Sequence, residues 1–242
     1  TPSVTRWSSL HASAQYLLDE YDAGLNFGAV LFPSADVPDN DWQTACEVAA
    51  EPEVGVAPDN GPAIMAMLPA ADDEQLFGGT PTGAGIATAL THLASLDSDL
   101  PQAMILITDG AANCLDGTDG TTVFLEYDED LPAQVAQAYE DGVPTYVIGI
   151  DILDQVYQYP HANPLDRLNE VAIAGGHPKP GAEKFYNTTD EAELQAAMSQ
   201  ISSQIGCVVP LDEEPVEPDL LDVSIDGEPV PFVESCDENG FG

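Results

Sequence analysis

The chain has 242 residues, 44% of them hydrophobic, which is enough to fill one core of ordinary size. Forty-three Asp and Glu stand against four cations, Arg6, Arg167, Lys179 and Lys184, for a formal net charge of -39. Such a surface repels polyanions, which excludes nucleic acid and anionic lipid headgroups as partners, and no apolar run is long enough to span a bilayer.

The first element in chain order is a helix over Thr5–Tyr21, with Trp7, Leu10, Ala14, Leu17, Leu18 and Tyr21 on one face and Thr5 as its N-cap. Gly24 closes it, and Asn26–Phe32 reads as a buried strand ended by Pro33. Residues 34–52 are polar, hold Cys46 and read as a long surface loop. Glu53–Ala57 suits a short edge strand and Gly61–Leu68 a brief helix. Thr82–Leu96 is helical with Ile86, Leu90 and Leu93 inward, and Ala103–Thr108 is a fully buried strand. A Gly- and Asp-rich loop with Cys114 follows over Asp109–Asp128. Leu131–Tyr139 is a helix, Thr145–Ile150 a buried strand, Leu165–Ala174 a helix, Lys184–Tyr186 an edge strand and Glu191–Ile205 a last amphipathic helix.

Short apolar strands alternating with helices predict an α/β fold, a doubly wound and mostly parallel sheet with helices on both faces. Ligands of such sheets bind at the carboxyl ends of the strands, which directs attention to the loops after Phe32, Thr108 and Ile150. Residues 207–242 depart from the pattern. Pro210, Pro215 and Pro218 among acids make a stiff connector, and Leu220–Ile225, Asp226-Gly227 and Pro229–Val233 read as a small β-hairpin. The predicted domains are therefore 1–206 and a 207–242 extension.

Cys46, Cys114, Cys207 and Cys236 are widely spaced with no Cys-x-x-Cys, which argues against zinc-ribbon and thioredoxin chemistry and for two disulfides in an oxidising compartment. Three pairings are open. No signal sequence is visible, so a secreted form would already have lost it. The acids are scattered, unlike a calcium loop, and read as a solvating coat suited to high salt.

Enzyme readings fare poorly. There is no Gly-x-Ser-x-Gly elbow and no Gly-x-x-x-x-Gly-Lys loop, and Gly83-x-Gly85 meets Thr88 where a dinucleotide fingerprint needs its third glycine. His11 and His92 lie on helices as boundary residues, while His161 and His177 lie in proline-flanked loops without zinc spacing. Asn187-Thr188-Thr189 is a glycosylation sequon, which in a bacterial protein, as the composition suggests, would usually go unmodified.

Gly78-Gly79-Thr80-Pro81-Thr82-Gly83 leads into a helix, and some thirty residues later Ile105-Leu106-Ile107-Thr108-Asp109-Gly110 ends a buried strand. In this order, over roughly residues 1–206, the two segments resemble the von Willebrand factor A domain. The resemblance implies a metal-ion-dependent adhesion site in which Thr80 and Asp109 supply hydroxyl and carboxylate oxygens. These are hard ligands for a divalent cation, magnesium with calcium or manganese as alternatives. The competing readings are that Thr80 caps its helix and Asp109 a turn. The family's first strand, with Asp-x-Ser-x-Ser, has no counterpart in the chain. It is expected from upstream, from a neighbouring chain or, less well, from the echo Asp222-Val223-Ser224-Ile225-Asp226.

The resemblance also favours Cys46–Cys114, whose loops share one end of the sheet, leaving Cys207–Cys236 to pin the hairpin. It implies a non-enzymatic adhesion module, secreted or on the cell surface, that binds a protein ligand. The alternative is a structural subunit of an extracellular assembly, with an inert metal site and a strand donated by a neighbour. A third class is a metal-dependent hydrolase built on the acidic 109–128 loop.

Overall fold

A computed structural model describes residues 2–34, 44–72, 78–96, 100–114, 120–205, 223–225 and 228–230. The chain divides into two compact units, Thr1–Val208 and Val209–Gly242. In the first, α1 (Pro2–Tyr21) precedes an antiparallel pair of short strands, β1 (Phe27–Ala29) and β2 (Val54–Ala57), and a short helix α2 (Gly61–Met67). Then α3 (Thr82–Ser95), β3 (Met104–Thr108), a 3-10 turn at Gly120–Phe124, α4 (Leu131–Glu140), β4 (Thr145–Ile150), α5 (Pro164–Ala174), β5 (Tyr186–Thr188) and α6 (Glu191–Ile205) alternate regularly.

β3, β4 and β5 form a parallel sheet in that order, with Met104 opposite Thr145 and Ile148 opposite Tyr186. Every residue of β4 is buried, as a central strand covered on both faces requires. Alternation along the strands divides their side chains between two cores. Leu106 and Val147 join Ile86 and Leu93 of α3, Leu131 and Val135 of α4, and Leu168 and Val171 of α5. Tyr146, Ile148 and Ile150 turn the other way, onto Leu17 of α1 and Leu194, Met198 and Ile201 of α6. The fold is thus α/β and doubly wound, with helices on both faces of a parallel sheet.

Four details differ from the sequence reading. The first helix begins at Pro2, so Thr5 lies inside it and is not its N-cap. The Asn26–Phe32 strand is ordered as β only over three residues. Beyond it the Leu31 amide donates to the Glu53 carboxylate at 2.8 Å instead of to a ladder, and Pro33 follows a cis peptide bond. The strand expected at Lys184–Tyr186 lies two residues later, because the Lys184 amide donates to Asn169 Oδ1 and its carbonyl accepts from the Lys179 amide. Finally, β1 and β2 pair with each other and are not hydrogen-bonded into the parallel sheet.

In the second unit β6 (Val223–Ile225) and β7 (Glu228–Val230) pair antiparallel, with Ile225 opposite Glu228. Ser224, in the echo of the serine motif, therefore belongs to this hairpin ladder. Cys207 and Cys236 lie outside the described residues.

Candidate functional site at the carboxyl ends of the strands

In βαβ units helices run against the strands, so helix N-termini and strand C-termini meet at one end of the sheet. Three segments gather there. Thr80 stands in the turn before α3, and its backbone is bound twice to one residue of the loop after β3. The Thr80 amide donates to Asn113 Oδ1 at 2.6 Å, and the Asn113 amide donates to the Thr80 carbonyl at 3.0 Å. The glycines before it are fixed by space and conformation. Gly78 has φ +139°, and a Cβ at Gly79 would collide with Cys114 Sγ. Cys114 is bonded to Cys46 with a Cα–Cα distance of 5.6 Å, which staples the loop after β1 to the loop after β3. The cap of α3 is Pro81 and not Thr80, so the helix-capping reading of Thr80 does not describe the structure.

Asp109 follows the last residue of β3 and is more than half exposed. Its carboxylate faces Arg6 of α1, with Nη1 at 3.5 Å. Arg6 reaches further, to the residue after β4. Its Nη2 donates to Asp151 Oδ2 at 2.7 Å and to the Asp151 carbonyl at 3.3 Å. Burial pulls the Arg6 pKa down, but the hydrogen bond to Asp151 and the charges of Asp109 and Asp151 outweigh it, and the net shift is upward. The guanidinium is a fixed cation. Its Nε is buried without a hydrogen-bond partner among the described residues. Asp151 has φ +53°, and its amide donates to the Thr188 carbonyl at 2.7 Å, so its position is set by β5. A cavity of ≈ 260 Å3 opens beside this cluster, lined by Arg6, Ser9, Asp151, Thr188, Asp190 and Leu194 among others.

The sequence reading singled out Thr80 and Asp109, and the structure sets both on the loops at this end. It did not anticipate Arg6 or Asp151. The only signals for them were that Arg6 is one of four cations and that Asp151 opens one of the three loops flagged for ligands. As a metal centre the arrangement is incomplete. Thr80 and Asp109 supply two hard oxygens where an octahedral ion needs six donors, and among the described residues no three His, Cys, Asp or Glu are grouped to hold an ion. Arg6 already compensates the Asp109 charge. The described residues alone do not fit the ion that the resemblance implies.

Two of the histidines have structural surroundings. His92 Nε2 accepts from the Val56 amide at 2.9 Å, and the His177 ring lies 4.5 Å from that of Tyr146. Asn187, the sequon residue, binds both backbone groups of Ile152 through its side-chain amide.

No family model matches the chain, and no curated protein matches it. Solved structures do. The pilus adhesin SpaC from Lactobacillus rhamnosus GG, in its open conformation, is similar over 83% of this chain with a TM-score of 0.56 and 16% identity. The match covers 28% of the adhesin chain, so this chain spans well under half of that protein. A conserved hypothetical protein, BatB from Bacteroides thetaiotaomicron, is similar over 84% of this chain and 89% of its own, with a TM-score of 0.52 and 15% identity. Proximal thread matrix protein 1 from the mussel byssus gives a TM-score of 0.51 at 15% identity, over 84% of this chain and 41% of that one. At such identities the likeness shows the fold. That fold is a doubly wound α/β one, shared with these structures.

Proposed function

We propose that this chain is a protein-binding module of the cell surface or extracellular space, non-enzymatic, working through the loops at the carboxyl ends of β3 and β4. The observation that carries the reading is the charged crown of Asp109, Arg6 and Asp151, with the loop that bears Asp109 stapled by a disulfide, at the end of the sheet where such folds take their ligands. The fold shared with a pilus adhesin and with a byssal thread matrix protein agrees with it, as does a disulfide, which belongs to oxidising compartments. No helix among the described residues is long and apolar enough to cross a membrane.

The divalent cation, magnesium or calcium, enters this proposal in a limited form. Thr80 and Asp109 would contribute a hydroxyl and a carboxylate to holding it, and a bound ion would supply positive charge for a partner's carboxylate. Binding would require Arg6 to release Asp109 and further oxygens to come from a serine-bearing segment beside β3. A second reading, a structural subunit completed by a neighbour's strand, is favoured by the sheet edge. The Met104 amide donates to the Pro144 carbonyl on the β4 side, so the backbone groups of Ile105 and Ile107 point to the opposite edge of β3, which pairs with no strand among the described residues.

Beads coated with the protein should attach to cells of the producing organism, and Asp109→Ala with Asp151→Ala should lower attachment about tenfold. That factor corresponds to about 1.4 kcal/mol of binding energy. Attachment no greater than with an unrelated acidic protein, or unchanged by the two substitutions, contradicts the proposal.

A further inference from the structure

The loop between β4 and α5, residues 151–163, departs from the acidic coat around it. Six large apolar side chains stand out as exposed among the described residues, and three of them lie in this loop: Leu153 at 46%, Val156 at 62% and Tyr159 at 58%. Of the others, Tyr139 has its ring against Gly176, Leu100 has a partner of its own, and Ile173 stands alone on α5. Single exposed apolar residues are ordinary, but three within one short loop of a chain with net charge -39 are not.

The loop is built to hold them there. Ile152, Pro160 and Ala162 are buried and anchor it to the body of the domain. Ile152 is bound at both backbone groups by Asn187, and the His161 amide donates to the Leu125 carbonyl at 2.9 Å. Across the loop the Tyr157 amide donates to the Ala162 carbonyl at 2.9 Å, and Asn163 Nδ2 donates to Asp154 Oδ1 at 2.8 Å. A loop so tied has little conformational entropy left to lose on binding, which is the condition for exposed anchors to give affinity. Aromatic and aliphatic side chains at the centre of a patch are the usual carriers of interface energy.

From this we infer that Leu153, Val156 and Tyr159 are the apolar anchors of a docking surface for a partner protein that offers an apolar face rimmed by lysine and arginine. Charge selects that occupant. The loop has no Lys or Arg and carries Asp151 and Asp154, with Asp109 and Asp190 on neighbouring loops; Arg6, shared between Asp109 and Asp151, offsets one of these four charges, so the rim of the patch stays net anionic. A second copy would bring -39 against -39, like charges facing at the rim. The inference deepens the reading of the chain as a binding module by naming anchors and partner chemistry.

The probe is a synthetic amphipathic helical peptide with leucines on one face and lysines flanking them, compared with a scrambled peptide of the same composition. Binding is followed by fluorescence anisotropy in molar NaCl, which screens unspecific attraction between opposite charges. The wild type should bind the patterned peptide at least tenfold more tightly than the scrambled one. The charge-neutral pair Val156→Ser and Tyr159→Ser, which alters only exposed side chains, should lose that tenfold advantage with an unchanged melting temperature. Equal affinity of wild type and variant overturns the inference, and so does self-association of the wild type that the variant lacks, seen by sedimentation. Cell attachment that persists in this variant but fails on removal of Asp109 and Asp151 overturns the anchors alone and leaves the module reading standing.

Discussion

Tyr127 shows how closely a single residue's behaviour follows its surroundings. Its ring is 5% exposed, and the Arg167 guanidinium lies 4.4 Å above it. Its hydroxyl is buried and has no hydrogen-bond partner among the described residues. Burial pushes the Tyr127 pKa well above its ordinary value of 10.0, against the opposing pull of Arg167. An acid with a raised folded-state pKa holds its proton where the unfolded chain has lost it. The stability it contributes is whole below pH about 10 and is lost as pH rises towards and through the folded value. Tyr127→Phe should therefore flatten part of the alkaline fall in a urea-unfolding series. Tyr146, also raised by burial, keeps the remainder. At neutral pH the same variant should lie within about 1 kcal/mol of the wild type, since it removes an unsatisfied hydroxyl and keeps the ring. A loss of several kcal/mol would mean that the hydroxyl has a partner.

At the scale of elements, the parts legible in the sequence were those written in local pattern. Ala103–Thr108 and Thr145–Ile150 are continuous apolar runs and became β3 and β4 within a residue, because a strand covered on both faces has no polar positions to confuse the reading. Gly78-Gly79 before Thr80 announced a backbone turn, though only the structure shows that Gly79 yields room to the disulfide. What was not legible rests on long-range encounters. Arg6 and Asp151 are 145 residues apart, and nothing near either of them encodes their pairing. The NFGAVLF strand shrank to β1 for a similar reason, since a distant carboxylate, Glu53, takes the Leu31 amide.

The staple between the loops after β1 and β3 has a direct consequence. Cys46 and Cys114 are 68 residues apart, and closing a loop of that size in the unfolded chain stabilises the fold by about 4 kcal/mol on chain-entropy grounds. The Cys46→Ala, Cys114→Ala variant should lose roughly 2–5 kcal/mol in denaturant unfolding. A loss below about 0.5 kcal/mol would show that the bond is not formed in solution.

For the whole molecule the governing quantity is a net charge of -39 on one chain. The four cations cannot compensate it, although Arg6, Arg167 and Lys179 are each ion-paired. The folded state concentrates the excess charge, and salt relieves it: the screening length falls from about 10 Å at roughly 0.1 M to about 3 Å at roughly 1 M. The melting temperature should climb steadily over that range, and a flat profile would show that the acid coat does not destabilise the compact state.

The same charge decides how to test the central claim, that the working face of this domain is the carboxyl end of its sheet. A zero-length carbodiimide coupling joins the chain's abundant carboxylates to a partner's lysines, and can be applied to the protein attached to cells of the producing organism. The account predicts that the cross-linked carboxylates, located by mass spectrometry of the digested complex, concentrate at Asp109, Asp151, Asp154 and Asp190. Cross-links concentrated instead at Glu140 and Asp141, at the opposite end of the sheet where β4 begins, would contradict it.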